Sequence, residues 1–161
     1  AQASWIIDPK TFPAWEWAQE TKTPIIMQLR GPSLGMLREL MDKFPGLNLL
    51  LDHASSPTLE DGYPYEELKP LMALSDYPGL VLKVTTVNFR KAAKGNSTPQ
   101  DFMKALREGF GAERLWWGSN FPSSEGALSE HVQMALDASR DFSDAERDAF
   151  MGGNAKRIFK L

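Results

Sequence analysis

The stretch RLWWGSNFP, residues 114–122, sets the reading of the whole chain. Leu115, Trp116 and Trp117 are a short apolar run of strand-forming residues; Gly118 and Ser119 break it, and Pro122 stops any continuation. A strand of this kind is buried and presents one polar side chain, Asn120, at its C-terminal mouth. The stretch LNLLLDHASS, residues 47–56, repeats the design. Its apolar run ends at Leu51, Asp52 and His53 follow, and Ala54, Ser55 and Ser56 are small turn residues.

Working outward, Pro24 opens PIIMQLR, in which Ile25, Ile26 and Met27 predict a buried strand ending in Gln28 and Arg30. Pro78-Gly79 turns the chain into LVLKVTT, a strand over 79–84 whose one charged residue is Lys83. Helical spacing fills the intervals. Leu34, Leu37, Met41 and Phe44 predict an amphipathic helix over 33–44, with Ser33 as its N-cap and Pro45-Gly46 as its stop. Leu68, Leu71 and Met72 face inward on a helix over 65–75. Thr98-Pro99 opens a helix whose buried stripe is Phe102, Leu106 and Phe110.

The remaining segments are less regular. Residues 1–13, broken by Pro9 and Pro13, are expected to be irregular before a short helix over 14–21. Residues 86–97 are expected to form a long polar loop with Arg90, Lys91 and Lys94 in solvent. The tail is helical near 126–139, and His131, beside Glu130 and Gln133, is expected at the surface. Ser143 and Glu146 form a capping box for a helix running to about Met151. Gly152-Gly153 breaks it, and Asn154 is expected to cap a last turn.

Composition limits the function. A length of 161 residues predicts a single domain over 1–161 with a real core. The net charge of −3 gives no electrostatic reason to expect nucleic acid or an anionic membrane as partner. Absence of cysteine excludes disulfides and thiolate metal clusters and fits a cytoplasmic location. No apolar run approaches the ~20 residues that span a bilayer.

The resulting order, β-α-β-α-β-α-β-α, predicts a parallel α/β sheet with right-handed crossovers. All strand C-termini then lie on one side, where such sheets bind ligands. Residues two apart share a face. One row holds Ile26, Gln28 and Arg30; a second, Leu49, Leu51 and His53; a third, Val81, Lys83 and Thr85; a fourth, Trp116, Gly118 and Asn120. If these rows face one interior, Gln28, Arg30, His53, Lys83 and Asn120 converge on one pocket, and Asp52 points away from it. A pocket lined by cations suits a small anionic substrate, with carboxylate the expected group. Each residue also has a structural reading: His53 as a turn histidine, Asn120 as a cap of its turn, Lys83 as the partner of a carboxylate.

FPGLNLLLDHASSP, GLVLKVTT, GFGAERLWWGSNFP and GGNAKRIFKL, in this order, resemble the amidohydrolase-related family of (β/α)8 barrels. The resemblance runs from about residue 13 to the end. It implies that the four strands are strands five to eight of the barrel, so that this chain is its C-terminal half. Such a half is expected to pair with the missing N-terminal half or with a second copy of itself. By position, His53 is similar to the family's strand-six histidine, which activates water or polarises substrate. Asn120 stands where the family has an aspartate, a metal ligand or general base, and Gln28 where it has a metal-binding histidine. Amide oxygens are poor ligands for a catalytic Zn²⁺. No cofactor is therefore expected, with a divalent metal such as zinc as the family alternative.

These implications give a hydrolase acting on a lactone or similar ester-like bond in a carboxylated substrate. His53 and Asn120 are the catalytic candidates, and Gln28, Arg30 and Lys83 the substrate-binding ones. The alternatives are a non-catalytic, binding-only barrel with a degenerate metal site, and a metal-dependent decarboxylase.

Overall fold

The computed structural model describes residues 3–161. Helix α1 (Phe12–Thr21) leads to β1 (Ile25–Met27), and α2 (Leu34–Lys43) to β2 (Leu49–Leu51). A short α3 (Lys69–Met72) precedes β3 (Leu80–Thr85), and α4 (Thr86–Ala92) and α5 (Pro99–Phe110) precede β4 (Leu115–Gly118). Helices α6 (Leu128–Ala138), α7 (Asp144–Asp148) and α8 (Asn154–Phe159) follow. The strands form one parallel sheet in the order β1-β2-β3-β4, the topology of half a (β/α)8 barrel.

The two faces of the sheet differ. Met27, Leu49, Leu51, Leu80, Leu82, Val84 and Leu115 are buried and join one core with the helices. The stripe Phe102, Leu106 and Phe110 of α5 meets them as its spacing predicts. At about 25 cal/mol per Å² of apolar surface, each such side chain contributes roughly 1.5–3 kcal/mol. The opposite face carries Ile26, Leu50 and Val81 in one row and Lys83 and Trp116 in the next. This corrects the expected row of β2. Leu49 and Leu51 face the helices, whereas Leu50 and Asp52 share the face of Ile26 and Lys83. A short run of identical leucines contains no polar residue to set its parity. Pairing with β1 and β3 sets it instead.

Local structure departs from expectation at several further places. Two 3₁₀ turns, Ser4–Ile7 and Pro9–Thr11, occupy much of the segment expected to be irregular, and α1 starts at Phe12 with Pro13 in its first turn. Residues 86–92 are helix, not loop, because Phe89 and Ala92 are buried while Arg90 and Lys91 lie on the wetter side. Helix α3 is a single turn. Ser33 makes no capping bond, being already in helical backbone. Asn154 does not cap a turn. It is buried, and its Nδ2 donates to the carbonyls of Ala112 at 2.8 Å and Leu115 at 2.7 Å, pinning α8 to the foot of β4. His131 is fully buried: its Nε2 donates to the Glu125 carbonyl at 2.9 Å, and its ring meets Phe121 edge-on. Among the described residues no helix is long and apolar enough to cross a membrane.

Candidate active site

The C-terminal ends of β2 and β3 bring charged side chains together. Lys83 projects from the helix-free face and lies across Gly118 of β4, where an added Cβ would stand 2.5 Å from Lys83 Cε. Glycine at 118 thus leaves the lysine room to extend. Lys83 Nζ reaches Asp52 Oδ1 at 3.0 Å. The same carboxylate oxygen accepts the His53 backbone N–H at 3.0 Å. Asp52, expected to point away, therefore belongs to the site, because the corrected parity of β2 places it two residues beyond Leu50.

His53 sits in an unusual turn. Residues His53, Ala54, Ser55 and Ser56 all have positive φ, between 43° and 66°. Left-handed backbone costs a non-glycine residue roughly 1–2 kcal/mol. Bonds to the segment after β1 and from α4 hold the turn. Ser55 Oγ donates to the Leu29 carbonyl at 2.9 Å, Asn88 Nδ2 to the His53 carbonyl at 2.8 Å, and Lys91 Nζ to the Ser56 carbonyl at 3.3 Å. Strained backbone over-determined by its surroundings is a feature of functional sites. The His53 imidazole is turned to Thr85, Nδ1 to Oγ1 at 2.7 Å, and its side chain is 14% exposed.

The surroundings hold His53 below the ordinary imidazole pKa. Burial is the largest cause; the Asp52 carboxylate opposes it, and the positive charges of Lys83, Arg30 and Lys91 add to it. Burial, then Arg30 and Lys94, likewise lowers Lys91. Lys91 is thus half-buried at the site instead of solvated in a loop.

The five residues singled out from sequence are not all gathered. His53 and Lys83 meet through Asp52. Gln28 and Arg30 are exposed at the end of β1, where they line a shallow pocket with Leu29 and Ser33. Asn120 lies in a turn of its own. Its Nδ2 donates to Ser124 Oγ at 2.9 Å, and its carbonyl accepts Ser124 N–H at 2.8 Å. Alternation turns Asp52 away and puts Thr85 in the third row without a role, and it says nothing of Asn88 or Lys91. The spacing of Thr85 and Asn88, a cap residue and its third follower, is the available signal for those two. A cavity of about 680 Å³ lies at the other end of the sheet around Asn48, Gly79 and Arg114, away from these groups.

The profile of a family described as Amidohydrolase matches residues 1–161. The chain is 23% identical over 170 residues to an L-fucono-1,5-lactonase of Burkholderia ambifaria, covering all of this chain and 58% of that protein. Its fold is similar to that of an amidohydrolase from Burkholderia multivorans with bound zinc, at TM-score 0.78 and 22% identity over 98% of this chain and 60% of that one. A putative 2-pyrone-4,6-dicarboxylic acid hydrolase from Pseudomonas putida is similar at TM-score 0.77 and 22% identity over 96% and 58%. The chain thus spans about three-fifths of these relatives.

The Burkholderia multivorans relative holds zinc. Zinc sites use imidazole, thiolate and carboxylate. Among the described residues no three His, Cys, Asp or Glu side chains come together as a metal-binding group. Positions 28 and 120 carry amides, and the one nearby carboxylate, Asp52, is engaged by Lys83. The described residues do not make a zinc site by themselves.

Proposed function

Since this chain belongs to the amidohydrolase family, we propose that the protein hydrolyses a lactone or similar ester-like bond in a small carboxylated substrate. The observation that carries this reading is the state of His53: a largely buried imidazole, held by Thr85 and biased toward its neutral form at the end of a parallel strand. A neutral imidazole near pH 7 is suited to general-base work. In this mechanism His53 removes a proton from water as the water attacks the acyl carbon, and the imidazolium returns that proton to the leaving oxygen as the acyl C–O bond breaks. Arg30 and Lys91, neither of them paired with a carboxylate among the described residues, attract the substrate's anionic group. Lys83 is neutralised by Asp52 and serves to hold that carboxylate beside the imidazole. Asn120 positions water or substrate. The lactonase relative supports the reaction class.

In this reading the barrel is closed by further chain or by a second copy, because β1 and β4 are both edges of the described sheet. The test is proton release from a panel of aldonolactones and carboxylated lactones by the complete protein, with His53→Ala as control. The expected result is turnover by the parent and its loss in the variant. Variant activity within about tenfold of the parent, about 1.4 kcal/mol, would make His53 structural. The amides at positions 28 and 120 favour a second reading, a barrel that binds without catalysis. Tight binding of a lactone acid with no turnover would establish that one instead.

A further inference from the structure

Thr85 and Asn88 take no part in those steps, yet both are fully buried and both touch His53. Their hydrogen bonds determine one another. Asn88 Nδ2 donates to the His53 carbonyl at 2.8 Å, and a carbonyl can only accept. The amide is thereby oriented with Oδ1 toward Thr85, whose backbone N–H it accepts at 3.0 Å. The same oxygen accepts the Thr85 hydroxyl at 3.2 Å. A threonine hydroxyl has one proton. With that proton on Asn88, Thr85 Oγ1 meets His53 Nδ1 at 2.7 Å as an acceptor. Nδ1 then carries the imidazole proton, and Nε2 keeps its lone pair.

We infer that Thr85 and Asn88 are positioning residues that hold His53 as the Nδ1–H tautomer and leave Nε2 free as the base. The competing arrangement turns the Thr85 hydroxyl onto Nδ1 and puts the ring proton on Nε2, facing Asp52 Oδ2. That contact is 3.7 Å, too long for a hydrogen bond. It also removes one bond from Asn88 Oδ1. His53 has positive φ, so no helix or strand directs its ring. The bond from Asn88 to its carbonyl and the bond from its ring to Thr85 clamp it at both ends.

The catalytic meaning of this tautomer rests on the function proposed above, but its measurement does not. The chain has two histidines, so the ring signals of a ¹⁵N-histidine-labelled full chain are few. Long-range ¹H–¹⁵N correlation at about pH 8, above the ordinary imidazole pKa, reads the tautomer directly. His53→Gln identifies the His53 signals. The expected result is a pyrrole-type shift at Nδ1 and a pyridine-type shift at Nε2, retained in Thr85→Ser. Thr85→Val, which offers no acceptor, moves the proton toward Nε2. Should that variant fail to fold, Asn88→Ala, which frees the Thr85 hydroxyl to turn, carries the same expected shift. A parent protonated on Nε2 overturns the inference, as do ring shifts in Thr85→Val or Asn88→Ala identical to the parent's. An Nδ1–H tautomer in a protein that turns over no lactone leaves this inference intact and removes only the reaction proposed above.

Discussion

Lys83 Nζ stands 3.0 Å from Asp52 Oδ1, so a lysine on the helix-free face and the carboxylate beside His53 neutralise each other. Both side chains are between a fifth and a quarter exposed. Water therefore screens the pair only in part. A double-mutant cycle of Asp52→Asn and Lys83→Met is expected to give a coupling on the order of 1 kcal/mol in urea melts. A coupling indistinguishable from zero would mean that the pair is fully screened.

The acid side of the pH profile follows from His53. Its folded pKa lies below the unfolded value of 6.5. Above 6.5 both states hold a neutral ring and the stability contribution is fully present. As the pH falls through 6.5 to the folded pKa, the unfolded state takes up the proton first and stability declines. Turnover should hold down to the same lowered pKa and then fall. Because Asp52 opposes the shift, Asp52→Asn should move both limbs further toward acid. A limb that moves toward alkaline pH in this variant would contradict the assignment.

Asn154 ties the last helix to the sheet through two carbonyls, those of Ala112 and Leu115. Asn154→Ala leaves both acceptors without this donor in a buried place. The expected loss is roughly 2–3 kcal/mol, read as a lower urea midpoint at unchanged slope. A loss below about 0.5 kcal/mol, the range of ordinary surface changes, would show that water replaces the amide.

The sheet edges predict association. Strands β1 and β4 each have one neighbour, and Ile26 on the helix-free face is 49% exposed. The apolar patch is nevertheless smaller than the sequence suggests. Leu49 and Leu51 face the helices, Leu50 and Val81 are buried, and Phe159 stands beside Trp116 with ring centroids 5.4 Å apart. Edge pairing, more than apolar area, is left to drive assembly. Sedimentation of the 161-residue chain is expected to show a dimer or larger species. A clean monomer at high concentration would show that these edges are sufficiently protected.

Local pattern in the sequence was enough for the parallel sheet, because apolar runs and helical spacing are properties of neighbouring residues. Each of the four strands begins within two residues of its expected start, and the stripe Phe102, Leu106 and Phe110 lies in the core as spaced. His53 could be placed at a strand end for the same reason. The rest depended on contacts between residues far apart in the chain. The parity of three consecutive leucines was set by register with β1 and β3, and that register brought Asp52 to Lys83. Asn120 was drawn to Ser124 by the backbone of its own turn, whose dihedrals no alternation rule describes. Thr85 and Asn88 reach His53 across 32 and 35 residues. Hydrogen bonds are short-ranged and directional, so their partners are settled only when the tertiary fold has placed donor and acceptor face to face.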